Sequence, residues 1–247
     1  MAWFLLVIAL QIACIVHVFR HGRNTAWVMA IAFLPMIGVA AYFIVEIMPN
    51  LSRDRRVQQV KANIADSIDP ERRVRESRDA VEFSDTIANR MEYGDALMAR
   101  ERYDQALEQY RFAERKSPHV DRTIGMRIAE AAHEAARVGD ALAALDRLPE
   151  TTSQSEHDRR DLLRAKVAEL DGRSGDALVL YRGIVERAPG DEVRCRIAAI
   201  LIADGDKAAA RAVLNEVEMR KKRTPPAMLK ANAAMYDWAK RMLVELG

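Results

Sequence analysis

Small and large residues recur at one spacing from about residue 87 to residue 223. Ala106, Ala141, Ala177 and Ala210 stand 35, 36 and 33 residues apart. The same three offsets carry Gly94 to Ala129, Ala165 and Ala198, and Tyr110 to Leu145, Tyr181 and Leu214. A shared period of this length restricts the fold strongly, because each unit is one supersecondary element that buries its apolar face only by stacking on its neighbours. Within a unit, a small residue lets two antiparallel helices approach and a large one fills the space beside it. The spacing therefore predicts an all-α fold with four helical pairs, over 87–120, 122–156, 158–190 and 191–223. Gly139, Gly172 and Gly205 are expected in the turns between paired helices, and Pro118 and Pro189 at the ends of the first and third units.

The residues of the first unit resemble a known family. Tyr93-Gly94-Asp95-Ala96-Leu97 is followed by Tyr103, Ala106-Leu107, Tyr110, Ala113 and Pro118. Order and spacing are similar to the tetratricopeptide pattern of Leu-Gly-x2-Tyr, Ala-x3-Phe and Pro over a unit of about 34 residues. The aromatic expected near the start of each unit is replaced by Arg90, Gly125, Asp161 and Arg194, so the repeats are degenerate. The resemblance implies an α-solenoid with a concave surface that holds a peptide or partner helix. In this register the first helices direct Met91, Asp95, Met98, Met126, Glu130, His133, Leu162, Lys166 and Glu169 towards that groove. A solenoid needs its ends covered. Thr224 as N-cap and Pro225 at the first helical position predict a capping helix over 224–247, through Leu229, Ala233, Tyr236 and Leu243. At the other end, Asp69-Pro70 predicts a charged helix over about 71–82 within the juxtamembrane linker 51–86.

The first 50 residues have a different composition. Residues 2–19 contain no Asp, Glu, Lys or Arg, and over 26–48 the one charge is Glu46. About 20 apolar residues cross a hydrocarbon core roughly 30 Å thick, so spans are expected at about 2–19 and 27–48. Trp3, Trp27 and Tyr42 suit interfacial anchoring, and Pro35 and Gly38 would kink the second span or let the first approach it. The start lacks the basic region and cleavage site of a signal peptide, and no lipidation pattern precedes Cys14, so the segment reads as retained. The linker 20–25 is short, which makes the two spans a hairpin with both chain ends on one side. Arg53, Arg55, Arg56 and Lys61 after the second span outnumber Arg20 and Arg23 in the loop, placing the helical domain in the cytoplasm of a bacterial cell, on its inner membrane.

The run from His21-Gly22-Arg23 through Trp27 to Leu34-Pro35-Met36-Ile37-Gly38 and Tyr42 is similar to the N-terminal membrane segment of bacterial cardiolipin synthases of the phospholipase D superfamily. That family's catalytic motif needs a His followed two places later by Lys, which none of His17, His21, His119, His133 and His157 has. The resemblance implies a shared membrane module without lipid synthesis.

Chemistry-bearing patterns are otherwise absent from the sequence. Cys14 and Cys195 do not make a paired zinc ligand set, and Gly172-Arg173-Ser174-Gly175 lacks the lysine of a phosphate loop. His133 and His157, among carboxylates on polar helices, read as solvated rather than metal-binding. A net charge of +2 gives no case for nucleic acid. Arg53, Arg55 and Arg56 sit where they could meet anionic lipid headgroups, each charge contributing about 1 kcal/mol near the surface. Arg220-Lys221-Lys222-Arg223 reads as a solvated face. The expectation is a non-enzymatic, membrane-anchored scaffold with a protein or peptide partner, no cofactor and no metal. The alternatives are an accessory role in phospholipid metabolism or a periplasmic assembly factor.

Overall fold

The computed structural model describes residues 2–20, 26–33, 39, 41, 42, 45 and 69–247. All regular structure among these is helical. The bounded helices are α1 (Ala2–Arg20), α2 (Ala26–Phe33), α3 (Arg72–Phe83), α4 (Ile87–Met98), α5 (Tyr103–Lys116), α6 (Arg122–Glu134), α7 (Val138–Asp146), α8 (Gln154–Leu170), α9 (Ser174–Ile184), α10 (Glu192–Ala203), α11 (Lys207–Lys221), α12 (Pro226–Ala231) and α13 (Ala233–Glu245). They fall into two compact units, Met1–Arg72 and Arg73–Gly247.

In the larger unit, helices pack against their sequence neighbours: α4 on α5, α5 on α6, α6 on α7, and so on through α11, with α13 against α11 and α10. The pairs α4/α5, α6/α7, α8/α9 and α10/α11 are joined by one turn used four times. Its left-handed residue is Glu101, Ala136, Gly172 and Gly205 in turn, at φ 57°, 56°, 76° and 82°. These positions repeat with the offsets of the side-chain columns, 35, 36 and 33 residues. At each turn the following amide reaches back to the helix, Arg102 N to Leu97 O, Arg137 N to Ala132 O, Arg173 N to Ala168 O and Asp206 N to Leu201 O, at 2.8–3.0 Å. The left-handed residue itself donates to Met98, His133, Glu169 and Ile202. This is the double-bonded Schellman ending, which satisfies carbonyls that a bare helix end would leave open. The expected turn glycine Gly139 instead lies within α7, and Ala136 takes the left-handed position.

The packing columns explain the pairing. Gly94, Ala106, Tyr110, Ala129, Ala141, Leu145, Ala165, Ala177, Tyr181, Ala198, Ala210 and Leu214 are all buried. A methyl group on Gly94 would stand 2.4 Å from the Tyr110 ring, so glycine is what admits the tyrosine. The column that lacks its aromatic is filled in other ways. Leu148 lies where a Cβ on Gly125 would be, 2.7 Å away. The Arg90 guanidinium sits 4.6 Å over the Phe112 ring. Arg194 is fully buried, donating to Glu216 at 2.6 Å, to Glu186 and to the Val185 carbonyl. A buried guanidinium is tolerated because these acceptors occupy its donors.

The C-terminal cap differs from the expected single helix. Pro225 is the N-cap residue and Pro226 opens α12, while the Thr224 hydroxyl donates back to Arg220 O. Asn232 interrupts the run before α13, whose Tyr236 and Ala239 bury against the fourth pair. The N-terminal helix α3 buries Val74, Ser77 and Val81.

In the smaller unit, α1 packs on α2 around Cys14, Val18, Ile31 and Tyr42. Gln11 Nε2 donates to Ile31 O at 2.8 Å. In a continuous helix that carbonyl would receive the amide of residue 35, and residue 35 is a proline, without an N–H. The Gln11 side chain replaces the missing donor. The His17 ring shares a 2.8 Å hydrogen bond with the Tyr42 hydroxyl, and the Trp27 and Tyr42 rings meet edge-on at 5.4 Å. A straight helix would separate residues 27 and 42 by roughly 22 Å, so these two do not lie on one straight helix, and the kink or close approach expected at Pro35 and Gly38 falls outside the described residues. Among the described residues no helix is long and apolar enough to cross a membrane. The side chains of residues 2–7 and 10 lie outside the described set, as do residues 34–38 of the second expected span and Arg53, Arg55 and Arg56.

Two sets of substitutions test the turn. Ala136→Gly and Glu101→Gly release a side chain from the left-handed region and should each raise stability by about 1 kcal/mol. Gly205→Ala should lower it by a similar amount. Denaturant midpoints of the three variants against the parent give the answer.

Candidate partner-binding face

The residues expected in the groove come from α4, α6 and α8, the first helices of three successive pairs. None of the nine is exposed. Met126 is buried, and Met91, Asp95, Met98, Glu130, His133, Leu162, Lys166 and Glu169 are half-buried. Met91 and Met98 pack against the core shared by the first two pairs, and Leu162 against that of the third and fourth.

Asp95, Glu130, Lys166 and Glu169 each pair with a charged side chain of the next repeat. The Tyr110 hydroxyl donates to Asp95 at 2.6 Å, and Arg127 of the next pair approaches the same carboxylate at 3.3 Å. Arg127 also donates to Glu130, which receives Arg159 of the third pair at 2.5 Å. The second half of the chain repeats the device. Tyr181 donates to Glu169, Arg196 of the next pair donates to that carboxylate at 2.8 Å, and Glu192 joins Arg196 to Lys166. Arg127 and Arg196 occupy the same place in the repeat, two residues before Ala129 and Ala198. The columns of small and large residues do not include these arginines, and their shared offset is the signal that could have found them.

Protonation states follow from the packing. Burial, and then the carboxylate partner, raises the Tyr110 and Tyr181 hydroxyls well above the usual tyrosine range, so both stay neutral donors. Burial pulls on Glu192 in the upward direction, but Lys166 and Arg196 outweigh it and hold the carboxyl below its ordinary value. Burial, with Asp191 and Glu192 nearby, pushes the Cys195 thiol up to about 12, so it is not a nucleophile at neutral pH.

Two concavities are present among the described residues, the first of them on α6 and α8. One of about 120 Å³ is lined by Arg122, Thr123, Met126, Arg127, Glu156 and Arg159. Another, of about 540 Å³, lies by the fourth pair and α12, with Met219, Met228 and Arg223 on its walls. Its Asp191 is buried and receives Arg220 at 2.7 Å and the Tyr236 hydroxyl at 2.9 Å. Part of the basic run 220–223 is thereby structural, since Lys221 also lies 5.4 Å over the Tyr236 ring. Of the histidines read as solvated, His133 meets Glu134 at 3.1 Å and His157 the Thr151 carbonyl at 2.7 Å. Among the described residues no three His, Cys, Asp or Glu side chains converge to hold a metal ion. No family model, curated protein or solved structure matches the chain.

The Tyr110–Asp95 bond should be worth about 1 kcal/mol, below the usual range of about 1.5–3 kcal/mol for a charged acceptor because Asp95 is partly exposed. A double-mutant cycle with Tyr110→Phe and Asp95→Ala reads that coupling. Glu192 has a depressed pKa, so its stabilisation is present above the ordinary glutamate value of 4.5 and is lost as pH falls through the folded value. Melting temperatures of the parent should fall on acidification below about pH 4.5, and Glu192→Gln should flatten part of that slope.

Proposed function

We propose that the chain is a membrane-anchored scaffold of the tetratricopeptide type, in which four degenerate helical repeats and a C-terminal cap form an α-solenoid that binds a segment of a partner protein at a bacterial inner membrane. The observation that carries this reading is the turn used four times, with its left-handed residue and paired back-bonds at one period. A unit built this way contacts only its neighbours and leaves one face of successive first helices free for a ligand. On that face the apolar contributions are Met91, Met98 and Leu162, and the polar ones are mostly engaged in the ladders between repeats. Methionine adapts to varied apolar surfaces, and charges that already have partners add little affinity of their own. The reading is thus of a short amphipathic or apolar segment rather than a strongly charged one.

Anchoring is read from the sequence and from α1. Residues 2–19 carry no charge, and 19 helical residues extend about 28 Å, close to a hydrocarbon core. The domain faces the cytoplasm in this reading, and catalysis, a cofactor and a metal have no part in it.

A photo-reactive amino acid placed at Met98 or His133 should cross-link to one discrete partner in intact cells. The same group at Val179, an exposed position on the second helix of the third pair, should not. Equal labelling from both positions would remove the groove from the account.

A further inference from the structure

The concavity of about 540 Å³ in the larger unit has one wall that adds nothing to the core. α12 buries none of its 6 residues, and it packs on α13. So short a segment does not hold a helix by propensity alone. Pro225 and Pro226 fix its entry, and Asn232 its exit. What the helix supplies is Met228, 44% exposed, on the wall that also carries Met219 of α11, 62% exposed, and the exposed Pro225. Small-molecule sites are concavities of roughly 300–1,000 Å³ with apolar linings and a few placed polar groups. Methionine side chains left open on such walls suit an apolar body, because the thioether adapts its shape to what it meets.

The charges of the same concavity are unequal in what they leave over. Both of its acids are engaged: Asp191 receives Arg220 at 2.7 Å and the Tyr236 hydroxyl at 2.9 Å, and Glu216 receives the buried Arg194 at 2.6 Å. Its cations are Arg220, held by Asp191, and Arg223, which is exposed and makes no ion pair or side-chain hydrogen bond among the described residues. A ligand entering here meets one unengaged guanidinium and no unengaged carboxylate. The planar fork of a guanidinium matches a carboxylate or a phosphate. A carboxylate brings one negative charge for the one cation that is free. A phosphate monoester brings about two, and the second would stand beside Asp191 and Glu216 without a partner. We propose that this concavity is a binding site for a small organic acid, with its apolar body against Met219, Pro225 and Met228 and its single carboxylate on Arg223. The site is built on α11 and α12 rather than on α4, α6 and α8, so it stands independently of the partner groove. It also gives a role to the residue of the basic run 220–223 that the contacts with Asp191 and Tyr236 do not use.

The test uses the full chain in detergent, labelled with carbon-13 at its methionine methyl groups, and the signals of Met219 and Met228 are assigned with Met219→Leu and Met228→Leu. The probes are 4-phenylbutyrate, an apolar carboxylate, and 4-phenylbutyramide, its neutral counterpart. The expected result is a saturable shift of both methyl signals with the acid, and binding weaker by about fivefold with the amide, the scale of one exposed charge pair. Arg223→Gln should weaken the acid to the level of the amide and leave the amide unchanged. Because the Arg223 side chain is exposed and unengaged, this variant should keep the circular dichroism of the parent. Arg182→Gln, at an exposed arginine of α9, should bind both probes as the parent does. Equal affinity for acid and amide, undiminished binding of the acid by Arg223→Gln, or no saturable shift of the two methyl groups would each overturn the proposal.

Discussion

The larger unit depends on how closely two helices can approach within each pair. Gly94, Ala129, Ala165 and Ala198 on the first helices, with Ala106, Ala141, Ala177 and Ala210 on the second, remove side-chain bulk where the axes cross. At Gly94 the tolerance is less than one methyl group, because the Tyr110 ring already occupies that space. Close approach in turn demands a short connection, and the Schellman turn supplies it by reversing the chain through one left-handed residue. Two of the four copies impose that conformation on Glu101 and Ala136, which carry a steric cost that glycine does not. That the turn keeps its form there shows that helix packing sets it, and turn propensity is secondary.

Communication between repeats runs through a second device, a tyrosine that donates to a carboxylate which an arginine of the next repeat also binds. It appears around Asp95 with Tyr110 and Arg127, and again around Glu169 with Tyr181 and Arg196. The buried phenol hydroxyls need acceptors, and the carboxylates they select become docking points for the neighbouring helix. The first-helix face is therefore partly committed to holding the stack together. What it offers a partner is chiefly methionine and leucine.

Much of this was legible in the sequence, and the rest was not for definable reasons. Three columns at one period located the four pairs, because small and large residues leave a direct trace of helix contact. Gly139 misled because glycine marks a turn only by permission: packing placed the left-handed residue at Ala136, three positions earlier. Arg194, in a column that normally holds an aromatic, looked like degeneration, and its burial depends on Glu216 and Glu186, which periodicity does not pair with it. Single residues along the groove could be named, but their pairing with arginines of the next repeat could not, since it joins side chains about 30 residues apart. Hydropathy marked the second apolar stretch, and the edge-on contact of Trp27 with Tyr42, fifteen residues apart, is a side-chain relation that hydropathy does not carry.

The central claim is that one turn recurs four times and closes four equivalent helical pairs. Amide hydrogen exchange at Arg102, Arg137, Arg173 and Asp206 tests it most directly, because each of these amides makes the back-bond to its own first helix. The account predicts that all four exchange slowly, protected with the helices they close, although each lies between elements where an ordinary loop amide is open to water. Exchange of these amides at the rate of an unstructured chain would contradict it.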